Sequence, residues 1–333
     1  MSRTISKPSF ARLVDQWVGQ GHRVAGPRQI KPGLVLYAPI TAADQVVWDA
    51  AAKPANSIKE FVFPRHEVLY QYRLGPKQEV ELVEAEPFAG QQIIVGARPC
   101  HAAAPAILDA VFNWDCADEF YNRRRQQTTV VTLACQSHDA DCFCTSVGSG
   151  PGDERGSDVL LVDLGDGNFE VRLLTDKGRA LLDGQTEASE RTGTIGPGPE
   201  RSVDREVVDR FLADGYDSPL WQSSLRCLGC GACAYTCPTC HCFDIVDEPS
   251  AGGGRRVRNW DSCQFAQFTL HASGHNPRSV QPQRQRQRIY HKFRSYPQKF
   301  GQTLCTGCGN CARNCPAHLG IKPMLEAIQQ AKP

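Results

Sequence analysis

Apolar residues recur every three to four positions near the start of the chain. Phe10, Leu13, Val14, Trp17 and Val18 fall on one face of a helix predicted over residues 6–20. Beyond it the pattern shortens into strand-like runs at 34–38, ending at Pro39, and at 61–63 and 67–73. The clearest unit opens with Ile93-Ile94-Val95-Gly96 and passes Cys100 and a helix over 102–112. It closes with Thr129-Val130-Val131-Thr132-Leu133, just before Cys135. A strand, a helix and a strand within about 40 residues read as a right-handed crossover between parallel strands. Residues 158–163 and 168–173 alternate around Leu164-Gly165-Asp166-Gly167, a hairpin signal. Helices are predicted over 176–185 and 203–214, and the Gly/Pro punctuation of Thr194–Gly198 sets a domain boundary near residue 200. The expected fold class is α+β. A mixed α/β domain with a partly parallel sheet occupies 1–200, and a mostly helical domain occupies 201–333.

The chain has 333 residues, enough for two domains that each bury a core. Its formal net charge of +1 gives no bulk attraction to nucleic acid or an anionic membrane. The opening residues run into an amphipathic helix rather than the apolar centre of a signal peptide. No stretch nears the roughly 20 apolar residues of a membrane span. What changes the picture is the count of 16 cysteines. A small secreted chain with so many would be a disulfide scaffold; in a chain this long, a reducing cytoplasm and metal-bound thiolates are expected instead.

Eight of those thiols form two strings of identical spacing. Cys227, Cys230, Cys233 and Cys237-Pro238 make the first, and Cys305, Cys308, Cys311 and Cys315-Pro316 the second. This is the bacterial ferredoxin pattern that ligates 4Fe–4S clusters, with the fourth cysteine of each string serving the other cluster. The expected ligand sets are Cys227, Cys230, Cys233 with Cys315, and Cys305, Cys308, Cys311 with Cys237. Gly229, Gly231, Gly307 and Gly309 let the backbone come close and turn its amides toward sulfur. The fourth cysteine is expected to open a helical turn, with the proline redirecting the chain. Zinc, the alternative for paired Cys-x2-Cys elements, does not account for two four-thiol strings ending in Cys-Pro. The domain over 201–333 is therefore read as a two-cluster ferredoxin-like module.

Cys100, Cys135, Cys142 and Cys144 form a second constellation. Cys100 and Cys135 are placed beyond the carboxyl ends of parallel strands, where open sheets bind ligands. Cys142-Phe143-Cys144 lies in the loop after the second strand, followed by Gly148, Gly150 and Gly152. Converging, they complete a third 4Fe–4S site; apart, they are inert buried thiols. Cys240, Cys242 and Cys263 stand close to the clusters in sequence or pattern, yet lack a fourth partner, and packing is the expected role. Cys116 is expected in the core. His101, His138 and His241 each neighbour a cysteine and are expected to be structural. Arg278, Arg284, Arg286, Arg288, Lys292 and Arg294, with glutamines between, suit either raising cluster potentials or docking a partner.

Several stretches resemble one known family: Arg98-Pro99-Cys100, Tyr121-Asn122-Arg123-Arg124, Asp141-Cys142-Phe143-Cys144 and Gly148–Pro151. The likeness continues through Cys237-Pro238-Thr239-Cys240-His241-Cys242, Asn259-Trp260-Asp261-Ser262-Cys263 and Gly274–Arg278. It then runs through Arg284, Arg286, Arg288 and His291-Lys292-Phe293 to the last cysteine string. The family holds the iron–sulfur β subunit of soluble NAD(P)-linked nickel–iron hydrogenases, also called sulfhydrogenases, and the equivalent iron–sulfur subunit of anaerobic sulfite reductase. Ser57–Phe61 with Pro64 and Glu67 resembles the hydrogenase branch. The resemblance implies a non-catalytic electron-transfer subunit with clusters in both domains, three 4Fe–4S clusters in all. Its partners would be nickel–iron hydrogenase subunits together with a flavin- and NAD(P)-binding subunit. The sulfite reductase relay is the nearest rival reading, and a zinc-bearing structural protein a distant one. No Gly-x-Gly-x-x-Gly follows a strand and no Walker loop occurs, so substrate chemistry is expected in other subunits.

Overall fold

A computed structural model of the chain describes residues 2–84 and 88–331. The strands, in chain order, are β1 (Ser2–Ser6), β2 (Arg23–Lys31), β3 (Leu34–Pro39), β4 (His66–Leu74), β5 (Val80–Glu84) and β6 (Gln92–Ala97). They continue with β7 (Thr128–Leu133), β8 (Val159–Asp163), β9 (Asn168–Leu173), β10 (Glu187–Ser189), β11 (Phe243–Ser250) and β12 (Gly253–Trp260). Ser6 ends β1 and caps the first helix, α1 (Lys7–Gly19), its hydroxyl accepting from the Ser9 amide at 3.1 Å. The apolar stripe of α1 buries Phe10, Leu13, Val14 and Trp17. Phe10 meets Trp17, Trp48 and Phe169 edge to face.

An eight-stranded sheet runs in the order β10-β1-β9-β8-β7-β6-β2-β3. The pairs β2–β6, β6–β7 and β7–β8 are parallel, and the flanking pairs antiparallel. Every residue of β6 and β7 is buried, as central parallel strands require. Two helices, α3 (Pro99–Phe112) and α4 (Glu119–Gln127), make the crossover between them. Residues 61–63, expected as a strand, instead end the short helix α2 (Lys59–Val62). The reason is tertiary: Val62 and Phe63 pack among Leu108, Phe112, Tyr121 and Trp260, contacts a sheet ladder would not give them.

A second, antiparallel sheet of order β11-β12-β4-β5 draws strands from both sides of residue 200. Its hairpin β11–β12 escapes the apolar pattern because cross-strand charges carry it: Arg256 pairs with Asp247 and Arg255 with Glu248, each at 2.6 Å. The remaining helices are α5 (Asp176–Leu181), α6 (Arg205–Asp214), α7 (Ala232–Tyr235), α8 (Gln281–Tyr290), α9 (Tyr296–Phe300), α10 (Asn310–Arg313) and α11 (Ile321–Gln330). Phe143 from the first half packs into the core formed by α6, α8 and α11. Among the described residues no helix is long and apolar enough to cross a membrane.

Candidate iron–sulfur centres

In both strings a glycine at positive φ, Gly231 (+72°) or Gly309 (+78°), starts a short helical turn, α7 or α10. The third cysteine, Cys233 or Cys311, sits on that turn. Cys237 and Cys315 follow its end, a correction to the expectation that the fourth cysteine opens it. The left-handed glycine reverses the chain before the helix, so the turn carries the third thiol inward.

Cys227, Cys230, Cys233 and Cys315 line one cavity with about 380 Å³ of atom-free space, which Gln264 and Gln285 also border (site A). The Leu319 amide points at Cys315 Sγ, 3.3 Å away. Site B gathers Cys305, Cys308, Cys311 and Cys237. After burial itself, the groups that push the Cys308 thiol well up are led by Cys237 and Cys311 and include Cys305. The amides of Ile321 and Gly307 donate to Cys311 Sγ at 3.3 Å and Cys305 Sγ at 3.5 Å. Cys237 Sγ receives Lys292 Nζ at 3.5 Å and lies 3.3 Å from the Thr239 hydroxyl.

Cys100, Cys135, Cys142 and Cys144 line a second cavity, with about 530 Å³ of atom-free space (site C). Cys100 sits on the first turn of α3 and Cys135 just past β7, at the carboxyl ends of parallel strands. The Gly/Pro stretch near 194–198 does more than divide the chain. The Gly196 amide donates to Cys135 O at 3.0 Å, and Pro197 and Pro199 close the cavity with Gly150 and Pro151. Gly307, Cys308 and Arg313 of the second string form its opposite wall. Arg313 reaches Asp139 at 2.8 Å and Cys142 Sγ at 3.8 Å, tying the loop to the string. Burial pushes the Cys100 thiol well up, and Cys308 of site B is the strongest of the thiols adding to it. Sites B and C are neighbours.

The surroundings fit an anionic cluster at each place. Burial favours the protonated thiol at several of these positions, pushing Cys233 and Cys305 up to about 12 and Cys144 to about 11, whereas hydrogen bonding from Cys240 and the nearby Lys292 hold Cys237 well below the usual thiol range. Iron replaces that proton and brings the positive charge solvent does not supply. Buried cations lie around the thiols, among them Lys59, Arg98, Arg288 and Lys292. Burial works against charge on Lys292, but the thiols of Cys237, Cys240 and Cys305 overcome it and raise its pKa. Several buried donors also lack partners among the described residues, including Arg98 Nε and Nη1 beside site C and all three Arg288 nitrogens beside the strings. Buried guanidinium groups need acceptors, and cluster sulfurs are acceptors. Among the described residues no three His, Cys, Asp or Glu side chains close on a single ion. A cubane asks for less crowding, because each thiolate binds a different iron at about 2.3 Å. The donor sets fit a cage better than one zinc ion.

Of the other thiols, Cys240 is buried beside Cys237, and Cys242 and Cys263 are neighbours that shift each other's titration. Lys59 Nζ fixes this layer through Cys240 O at 2.8 Å and stands 3.6 Å from the centre of a Trp260 ring. Cys116 is exposed, not in the core as expected, because the chain turns outward after α3 through Asn113–Asp115. His101 is buried and His241 half-buried, and desolvation pushes both down to about 3, so both stay neutral. His138 lines the site C cavity without pairing to a thiol in the described contacts. Nothing in the sequence singles out Lys53, Asp139, Gln264, Asn310 or Arg313. Asn310 Nδ2 donates to Asn56 O at 2.8 Å and Pro54 O at 3.2 Å, fixing α10 against the first half. Only its place inside the second string hints at this.

Residues 226–319 match the 4Fe-4S dicluster domain family. Over 305 residues the chain is 29% identical to the sulfhydrogenase 2 subunit beta of Pyrococcus furiosus, covering 87% of this chain and 88% of that protein. No solved structure matches. The chain is an iron–sulfur electron-transfer protein with a 4Fe–4S dicluster domain, related along most of its length to the β subunit of a hydrogenase.

Proposed function

We propose that the chain is the electron-relay subunit of a cytoplasmic, NAD(P)-linked nickel–iron hydrogenase, and that it holds three 4Fe–4S clusters. Cys227, Cys230, Cys233 and Cys315 would hold one, Cys305, Cys308, Cys311 and Cys237 the second, and Cys100, Cys135, Cys142 and Cys144 the third. Such clusters, when bound, supply one-electron transfer. The chain's own residues hold them in line, exclude water and set the charge around them. The observation that carries the reading is the row of three thiol sets. Cys233 of site A acts on Cys311 of site B, and Cys308 of site B acts on Cys100 of site C. Residues 1–200 contribute site C and residues 201–333 the other two, locked together through the shared second sheet.

Site A opens at the surface. Cys230 is exposed, and Leu228, which lines the same cavity, is 70% exposed, with Leu225, just before the string, 65% exposed. That apolar collar suits a neighbouring subunit, which would seal the outermost cluster from water. The partners this reading calls for are the nickel–iron subunits together with the flavin- and NAD(P)-binding one. The hydrogenase reading is favoured over a sulfite reductase relay because the relative that matches most of the chain is a sulfhydrogenase subunit.

Anaerobic iron quantitation of the full chain tests the cluster count. About twelve iron atoms per chain are expected, and Cys135→Ser should lower this to about eight, four irons being one cubane. A wild-type content of eight would remove site C. Nickel and flavin in the complex isolated with the chain support the hydrogenase assignment; sirohaem would replace it with sulfite reduction.

A further inference from the structure

Helix α8 lies along both strings. Residues 281, 285, 288 and 292 follow one another at intervals of four, three and four, one face of a helix carried into the turn His291–Ser295. Gln281 stands at the first string, where a Cβ on Gly229 would clash with its Nε2. Gln285 borders the site A cavity and donates to Leu319 O at 2.9 Å. At the other end Lys292 reaches Cys237 Sγ of site B at 3.5 Å. Arg288 is the residue between.

It is 2% exposed, and Nε, Nη1 and Nη2 all lack an acceptor among the described residues. Lys292, by contrast, also donates to Thr239 Oγ1 and Leu304 O, and Lys59 to Cys240 O. A buried, unpaired guanidinium is strongly unfavourable, so its acceptors must come from what the thiols hold. The thiols that act on it most are Cys233, of site A, and Cys311, of site B. A planar fork with five N–H donors can face two acceptors on different sides, which a lysine ammonium on a single stem does poorly.

We infer that Arg288 bridges the two clusters of the dicluster domain, donating to the sulfurs of both and keeping both easier to reduce. This rests on the reading that sites A and B hold clusters. Arg288 is a positioning residue: it tunes the two centres and carries no electron. A cation shared by two anionic centres also couples them, since adding an electron to one strengthens its claim on the shared donors at the expense of the other.

The experiment uses the full chain, reconstituted anaerobically, with iron counted first and each cluster's midpoint then read by titration followed by electron paramagnetic resonance. Arg288→Gln keeps amide donors but removes the charge and the fork. Both dicluster midpoints are expected to fall by at least tenfold in the reduction equilibrium, about 59 mV for one electron. The site C midpoint should hold. Arg288→Lys should recover one midpoint and not both. If neither midpoint moves, or only one moves, in a fully loaded Arg288→Gln chain, the bridge is wrong. Should that variant lose iron, Arg288→Lys decides: one lowered midpoint supports the bridge, and two wild-type midpoints overturn it. A wild-type chain without dicluster iron would instead overturn the underlying cluster reading.

Discussion

The amide of Phe143 donates to the carbonyl of Gly307 at 3.0 Å. This one hydrogen bond stitches the loop bearing Cys142 and Cys144 to the string bearing Cys305 and Cys308. Gly307 has φ of +67°, and a Cβ there would meet Cys144 N and Cα at 2.5 Å. Gly301 has nearly the same φ, +68°, but open space around its Cβ position. Gly301→Ala should therefore cost only the left-handed backbone penalty, about 1–2 kcal/mol. Gly307→Ala must also push two backbones apart, and should cost more and release iron from site B or C. Thermal unfolding and iron content of the two variants check this; equal losses would show that the contact is soft.

Glu67 is the hinge of the second sheet's charge network. It is 4% exposed and pairs with Arg258 at 2.5 Å and Arg124 at 2.9 Å, and Arg258 also pairs with Asp118. Glu67→Gln leaves a buried guanidinium short of charge, a change that costs about 3–5 kcal/mol in such settings. Because β4 and β12 join here, urea unfolding should show a lower midpoint for the whole chain. Arg256→Ala, which breaks the half-exposed pair with Asp247 and a stacking contact on Tyr70, should shift the midpoint much less.

These ties explain what was legible in the sequence and what was not. Local chemistry could be read in part: the strings declare their thiols though not where the helical turn falls, and α1 and the β6–α3–β7 unit announce themselves by period, while α4 does not. Cys100 and Cys135 could be placed at strand ends for the same reason. Contacts made by distant segments could not be read so. Residues 61–63 carry apolar side chains suited to a strand, yet Leu108, Tyr121 and Trp260 hold them at the end of a helix. The hairpin β11–β12 hides behind charges whose partners lie across the ladder. The arginine run looked like one feature, but helix periodicity splits it. Arg284, Arg288 and Lys292 turn inward and are buried, while Arg286 reaches Asp217, whose side chain is open to solvent. A periodicity count over 278–294 would have separated them.

Asp153 links acid to the wall of site C. It accepts from the Ser149 hydroxyl at 2.6 Å and from Arg155 Nε at 2.9 Å, bracing the loop that carries Gly150 and Pro151. Partial burial pushes its carboxyl up, but the Arg155 and Ser149 hydrogen bonds outweigh burial and hold it below the usual carboxylate range. A carboxyl depressed in the folded state stabilises fully above its unfolded pKa of about 3.9, and loses that contribution as pH falls through the folded value. Wild type should therefore be more stable than Asp153→Asn at pH 7, and the gap should close as pH drops below about 4. Urea midpoints of both proteins across that range read the difference directly. A gap unchanged in acid would mean that Asp153 acts through packing alone.

The proposed exchange of fourth ligands between the strings gives the sharpest test of the dicluster geometry. Cys315 lines the site A cavity with the first three thiols of the other string, and Cys237 stands with Cys305, Cys308 and Cys311. Four single Cys→Ala variants of the full chain, at 230, 315, 308 and 237, should therefore fall into two pairs. Cys230→Ala and Cys315→Ala should remove or alter one paramagnetic signal at one midpoint, because both strip site A. Cys308→Ala and Cys237→Ala should change the other signal, and Lys292→Met should shift that second signal alone, since Lys292 contacts Cys237 Sγ. Each cysteine variant should lose up to about four of twelve irons. If Cys237→Ala instead pairs with Cys230→Ala, each string serves its own cluster. The crossing of the strings would then be a matter of packing, and the closeness of Cys237 to Cys308 would reflect two adjacent clusters rather than one shared cage.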